Sequence, residues 1–69
     1  MDNKTIQNNF RYHPPKEGQA EKYELIRNEA KHLAELIAGL CPGSREKALA
    51  LTNLEQATMW ANASIARNE

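Results

Sequence analysis

The sequence predicts an all-α fold, an antiparallel helical hairpin with an N-terminal arm, which assembles into a helical oligomer. Apolar residues recur at three- and four-residue steps in two segments, the spacing that places side chains along one stripe of a helix. The segments are separated by Cys41-Pro42-Gly43, where a proline blocks continuation of the first helix. The 69 residues allow one domain, with the arm at 1–19 and the hairpin at 20–69.

The arm is polar and contains one cluster of aromatic, basic and proline residues, at positions 9–15. Pro14 and Pro15 keep the preceding residues extended, which places Phe10 and Tyr12 on one side of the chain and Arg11 on the other. An aromatic ring stacks on a base and a guanidinium pairs with phosphate, so the cluster suits a nucleotide. The alternative is that the two aromatic residues only attach the arm to the helices.

The first helix of the predicted hairpin has a seam of apolar residues along one stripe. Arg27 and Lys31 lie one turn apart beside this seam and, on their own, are ordinary surface charges. Gly39 weakens the helix near its end, and Ser44 is suited to cap the start of the next helix. The seam comprises Tyr23, Ile26, Ala30, Leu33, Ile37 and Leu40.

The second helix changes character after Leu54, where small and polar residues replace large apolar ones around Trp60, Asn62 and Arg67. Small side chains allow backbones of different subunits to approach closely around a symmetry axis. Copies of Arg67 would converge there and repel one another unless an anion lies between them. The alternative is that Arg67 only complements the helix dipole. The residues facing the first helix are predicted to be Ala48, Leu51, Leu54, Thr58, Ala61 and Ile65.

Three leucines, Leu25, Leu36 and Leu49, lie partly off both seams and need other partners. Two antiparallel helices cannot enclose a core, and a domain of this size has a small stability margin. Self-association is therefore expected. The spacing does not decide between a dimer, a trimer and a hexamer.

Charge and composition exclude several classes of function. Nine basic and nine acidic residues cancel, which disfavours a DNA or RNA polymer or an anionic membrane surface as partner. Cys41 is the only cysteine, so a disulfide is excluded, and with only His13 and His32 besides it a zinc site is not expected. The polar N-terminus carries no signal or membrane-spanning run, which together with a free thiol indicates the cytoplasm.

No catalytic constellation is recognisable. The sequence has no paired His–carboxylate motif, no Gly-rich phosphate loop and no cluster of metal ligands. We therefore expect no catalytic residue, no metal, no cofactor and no enzyme activity.

Several motifs together resemble the bacteriophage anti-CBASS and anti-Thoeris cyclic-nucleotide sponge family, through its shared helical hairpin domain. The similarity covers nearly the whole chain. The resemblance implies a homohexamer in the host cytoplasm that sequesters cyclic nucleotide messengers of antiphage signalling without cleaving them. The motifs are Tyr12-His13-Pro14-Pro15, Ser44-Arg45-Glu46-Lys47, Leu54-Glu55-Gln56-Ala57, Met59-Trp60-Ala61-Asn62-Ala63 and Ile65-Ala66-Arg67-Asn68.

The resemblance also implies two kinds of binding site. Cyclic dinucleotides would bind between two subunits, where Tyr12 stacks on a base and Arg27, or alternatively Lys31, meets phosphate, with Arg11 nearby on the arm. Cyclic trinucleotides would bind at a threefold site, where Arg67 from three subunits faces three phosphates and Asn62, Met59 and Ala63 line the base pockets. Relatives with an additional N-terminal domain bind cyclic ADP-ribose isomers, whereas this chain has only a short arm.

Two other hypotheses compete with the sponge. The first is a structural or regulatory helical-hairpin oligomer that binds a protein through Leu25 and Leu36 and does not bind nucleotides. The second is a small phosphodiesterase that opens the nucleotide ring, which requires a metal or a general base that the sequence does not show.

Overall fold

A computed structural model describes all 69 residues, as three α-helices and no strand. The helices are α1 (Asn3–Asn9), α2 (Gln19–Leu40) and α3 (Arg45–Asn68). Helices α2 and α3 form the antiparallel hairpin, so the all-α prediction is confirmed. No helix is both long enough and apolar enough to span a bilayer.

Helix α1 lies inside the segment that the sequence predicts only as a polar arm. Its N-cap is Asp2, whose carboxylate accepts a hydrogen bond of 2.8 Å from the Thr5 N–H. The pKa of Asp2 is lowered mainly by this hydrogen bond from the Thr5 backbone. The helix was not predicted because its seven residues show no apolar periodicity. Residues 12–16 of the arm, after the helix, are neither helix nor strand.

The turn of the hairpin follows the prediction. Helix α2 ends at Leu40, and α3 begins after Ser44, whose Oγ accepts a hydrogen bond of 3.1 Å from the Lys47 N–H. The Ser44 hydroxyl also donates to the Pro42 carbonyl at 3.0 Å. The Lys47 ammonium donates to the Ala38 carbonyl at 2.9 Å and so joins the last turns of α2 to the first turn of α3.

The seam between α2 and α3 differs from the predicted one at three positions. Leu33, Leu40 and Ala48 are exposed, whereas Ala34 is half-buried. A contact between two helices covers a narrower strip than the whole apolar stripe, so a residue on its flank, such as Leu33, stays in solvent. Leu40 and Ala48 lie near the turn, at the end of α2 and in the first turn of α3. The remaining predicted seam residues are half-buried: Tyr23, Ile26, Ala30, Ile37, Leu51, Leu54, Thr58, Ala61 and Ile65.

The chain has no enclosed hydrophobic core. Gln19 is the one buried residue, and no apolar residue is buried. The Cα atoms span 44 × 29 × 12 Å, a single layer of helices whose two broad faces meet solvent. Leu25, Leu36 and Leu49 are exposed, as predicted for residues off the seams. A layer of this kind buries little apolar surface, which favours assembly with further copies.

The N-terminal segment passes around the carboxyl end of α3 and bonds three of its last carbonyl groups. The Asn8 amide donates to the Arg67 carbonyl at 3.1 Å, and the Gln19 amide donates to the Ile65 carbonyl at 3.4 Å. The Lys16 ammonium donates to the Glu69 carbonyl. The Ile65 carbonyl also accepts a hydrogen bond of 3.3 Å from the Glu69 N–H. Together the contacts from the N-terminal segment hold both α1 and the start of α2 against the end of α3.

Candidate functional site

Two open grooves lie on either side of α3. The first, between α1 and α3, has a volume of about 670 Å³. The second, on the hairpin itself, has a volume of about 700 Å³. We call them the α1–α3 groove and the α2–α3 groove. Both volumes lie within the range of about 300–1,000 Å³ that is typical of small-molecule sites.

The α1–α3 groove is polar and basic. Its two charged residues are Lys4 and Arg67, and no acidic residue lines it. Trp60 forms part of one wall and keeps 65% of its surface exposed. The groove therefore combines two cations, an aromatic ring and several hydrogen-bonding side chains. The other lining residues are Thr5, Asn8, Asn9, Ala63, Ser64 and Asn68.

Arg67 is half-buried in the last turn of α3, where a cation complements the negative end of the helix dipole. The Asn8 amide bonds its carbonyl, and the Asn8 carbonyl in turn lies 2.7 Å from His13 Nε2. These contacts fix α1 and the following arm against the turn that carries Arg67. Beside this turn, a hydrogen bond from Lys22, at 2.5 Å, is the main cause that lowers the pKa of Glu69.

The α2–α3 groove has a mostly apolar lining and balanced charge. Arg27 and Lys31 contribute two positive charges, one turn apart on α2, and Glu35 and Glu55 contribute two negative ones. Leucine and alanine side chains supply most of the rest, and the two carboxylates offset the two cations. The uncharged lining residues are Ala30, Ala34, Ala38, Leu51, Leu54, Thr58 and Met59.

The comparison with protein families decides the identity. The family model described as "Acb2/Tad1, hairpin domain" matches residues 1–66. The chain belongs to this family. The Acb2/Tad1 hairpin domain is that of the anti-CBASS and anti-Thoeris sponges, which are ligand-binding proteins rather than enzymes. No curated protein and no solved structure matches the chain.

The residues that the resemblance assigns to a cyclic dinucleotide are divided between two places in this Acb2/Tad1 hairpin. Arg27 and Lys31 lie together at the α2–α3 groove. Tyr12 and Arg11 are exposed on the arm after α1 and line neither groove. One chain therefore does not place the ring of Tyr12 in the groove that holds the two helix cations.

The residues assigned to a cyclic trinucleotide all lie on α3, but they do not line one groove. Arg67 and Ala63 line the α1–α3 groove, whereas Met59 lines the α2–α3 groove. Asn62 lines neither, and its side-chain oxygen is buried without a hydrogen-bond partner. A buried carbonyl oxygen without a donor is costly, so a rearrangement or a donor from another molecule would stabilise it. Met59, Asn62 and Ala63 nevertheless lie within about one turn of α3, and Arg67 follows about one turn after Ala63, so one chain brings them to neighbouring positions on one helix.

Sequence reasoning did not assign Lys4 and Trp60 to a site. Lys4 was missed because α1 was not predicted. Trp60 and Arg67 are seven residues apart, about two helical turns, and this spacing is the signal that places them on one face of α3. No group of three or more His, Cys, Asp or Glu residues is placed to hold a metal ion.

Proposed function

We propose that this protein is a bacteriophage immune-evasion protein that sequesters cyclic dinucleotides and cyclic trinucleotides in the host cytoplasm without degrading them. By lowering the free messenger concentration, it blocks activation of bacterial antiphage effectors. The observation that carries the proposal is the match of the Acb2/Tad1 hairpin domain to 66 of the 69 residues. The assembly we propose is a homohexamer.

The grooves support this proposal through their chemistry. Cyclic oligonucleotides are compact anions with aromatic bases, and they require cations, hydrogen-bonding groups and flat surfaces. Arg27 and Lys31 supply cations at one groove, and Arg67 supplies one at the other. Both sets lie on long helices, so little ordering of the backbone opposes binding.

For cyclic dinucleotides we propose a site shared between two subunits. Tyr12 is 79% exposed and therefore free to stack on a base held by a neighbouring chain. Arg27 or Lys31 of that chain would meet phosphate, and Arg11 would add a cation from the arm. The separation of Tyr12 from the helix cations within one chain favours a site of this shared kind.

For cyclic trinucleotides we propose a site formed around Arg67, with Asn62, Met59 and Ala63 at the bases. Three subunits would each contribute one arginine, so the symmetry of the protein would match that of the ligand. The buried, unpartnered oxygen of Asn62 is an acceptor that a base amino group or a neighbouring subunit would satisfy.

Calorimetric titration tests this function. We expect tight binding of cyclic dinucleotides and of cyclic triadenylate, and recovery of intact ligand by chromatography after the complex is denatured by heat. Arg67→Ala should bind cyclic triadenylate at least tenfold more weakly, because it removes a charged hydrogen bond to phosphate. The variant should stay folded, since Asn8 bonds the backbone carbonyl of Arg67, which remains.

The matched control is Arg45→Ala, which removes the same charge from an exposed position at the other end of α3. It should bind as tightly as the unaltered protein. Equal weakening by both substitutions would attribute the effect to overall charge. Recovery of an opened ring would show that the protein is an enzyme.

A second candidate function is a helical-hairpin oligomer that acts as a protein-interaction or regulatory module. The observation in its favour is the exposure of Leu25 (63%) and Leu36 (55%) on α2. The two leucines are eleven residues apart, about three helical turns, and so lie on one face of α2, where a protein partner could cover both. This function predicts no heat with any cyclic oligonucleotide and no consequence of Arg67→Ala.

A further inference from the structure

We infer that the α1–α3 groove binds a phosphate-bearing ligand with an aromatic base, in which Lys4 joins Arg67 at phosphate and Trp60 stacks on the base. The seven-residue helix α1 then forms one wall of a binding site. This inference rests on the proposed function to the extent that both use Arg67. It adds Lys4 and Trp60 to the residues that the sequence analysis assigned to a site.

The first argument is charge. The chain has as many acidic as basic residues, yet the α1–α3 groove contains two cations and no acid. In the α2–α3 groove, Glu35 and Glu55 offset the two cations. An anion is therefore attracted more strongly to the α1–α3 groove of a single chain.

The second argument is the arrangement of the walls. Lys4 and Asn8 are one turn apart on α1, and Trp60 and Arg67 are two turns apart on α3. Each pair therefore lies along one face of its helix. Between Trp60 and Arg67 the α3 wall has only small side chains, Ala63 and Ser64, which leave room for a ligand between the ring and the guanidinium.

The third argument is Trp60 itself. A tryptophan with 65% of its surface exposed beside two cations offers a flat ring on which a base can stack. Stacking on the ring and pairing of phosphate with the cations are compatible, because the ring and Arg67 are about two turns apart along the groove. The amide groups of Asn9 and Asn68 add hydrogen-bond donors and acceptors for the base or sugar.

Trp60 is the only tryptophan in the chain, so its fluorescence reports on this groove alone. We would titrate the full-length protein with cyclic triadenylate and follow fluorescence and heat in parallel. The expected result is saturable quenching with the same dissociation constant as calorimetry gives. Lys4→Ala should weaken binding about tenfold, as expected for loss of a charged hydrogen bond. Lys4→Arg keeps the charge and should stay within a few-fold of the unaltered protein.

Trp60 is tested separately by calorimetry. Trp60→Ala should weaken binding about tenfold, because the base loses the ring on which it stacks. Trp60→Phe retains an aromatic ring and should keep most of the affinity of the unaltered protein. Arg45→Ala is the charge control, and circular dichroism verifies the helix content of each variant. Because Lys4 and Trp60 are exposed, their removal should leave the fold intact.

The outcomes separate this inference from the proposed function. Calorimetric binding of cyclic triadenylate with no change in fluorescence, and with Lys4→Ala binding normally, overturns the inference and leaves the proposed function standing. If no cyclic oligonucleotide binds, the proposed function fails. A titration with ATP, followed by the same fluorescence, then decides whether the α1–α3 groove binds a phosphate-bearing ligand with an aromatic base. Saturable quenching that Lys4→Ala weakens supports the site, and unchanged fluorescence overturns it.

Discussion

Gln19 should contribute more to stability than any other polar side chain that joins the arm to the hairpin. It is the one buried residue, with 3% of its surface exposed. Its side-chain oxygen accepts a hydrogen bond of 2.9 Å from the Lys16 N–H, and its nitrogen donates to the Ile65 carbonyl at 3.4 Å. Gln19→Ala removes both contacts at the point where arm, α2 and α3 meet.

The expected loss follows from these two bonds. A typical neutral hydrogen bond contributes about 0.5–1.5 kcal/mol net, and the 3.4 Å contact belongs at the lower end of that range. The groups left behind add little to this cost, because the Ile65 carbonyl keeps its hydrogen bond from the Glu69 N–H and Lys16 is exposed to solvent. We therefore expect the free energy of unfolding to fall by about 1–2 kcal/mol. A chain of 69 residues has a total stability on the order of 3–10 kcal/mol, so the loss is a large fraction.

Urea denaturation followed by circular dichroism, at one fixed protein concentration, measures this loss. The control is Gln56→Ala, the same substitution at an exposed position of α3 that makes no side-chain hydrogen bond. It should change stability by less than about 0.5 kcal/mol. If Gln19→Ala is no more destabilising than Gln56→Ala, the two bonds do not join the arm to the hairpin in solution, and the reasoning is wrong.

Two further predictions concern glycine conformation and pH. Gly18→Ala should destabilise the protein by about 1–2 kcal/mol, because Gly18 has φ +85°, a backbone conformation that alanine adopts at a cost. Gly39→Ala should stabilise the protein by about 0.5–1 kcal/mol, because Gly39 lies inside α2, where alanine favours helix. Urea denaturation measures both changes, and equal effects of the two substitutions would contradict the argument from backbone conformation. The pKa of Glu69 is lowered from 4.5 mainly by the hydrogen bond from Lys22. This contact should therefore stabilise the folded protein above about pH 4.5, and its contribution should be lost as the pH falls through the lowered pKa. NMR titration should show the pKa of Glu69 rising toward 4.5 in Lys22→Ala, and an unchanged pKa would exclude this pair in solution.

Local signals were sufficient to predict the hairpin. Pro42 and Ser44 fixed the end of one helix and the start of the next, because a missing N–H and a capping hydroxyl act on neighbouring backbone groups. The off-seam position of Leu25 and Leu36 followed from helical periodicity alone. The seam was less well predicted at Leu33, because its limits depend on how closely two helices approach.

The contacts that build the α1–α3 groove could not be predicted locally. Asn8 bonds a carbonyl 59 positions away, and Gln19 bonds one 46 positions away. Periodicity gives no information on such pairs, since they depend on the path of the arm around the end of α3. Helix α1 had one local signal, Asp2 three residues before Thr5, which is a capping arrangement but a weak one without an apolar face behind it.

A protein with no net charge can bind an anion only where its cations are concentrated. Lys4 and Arg67 share a groove without an acid, although acidic and basic residues balance over the whole chain. A nucleic acid polymer extends beyond any one groove, so its phosphates would also meet the surfaces that carry the nine acidic residues. A compact cyclic oligonucleotide presents its charge at one small site, such as the α1–α3 groove of about 670 Å³ or a site shared between subunits. The charge distribution that disfavours a polymer thus favours the small cyclic ligand we propose.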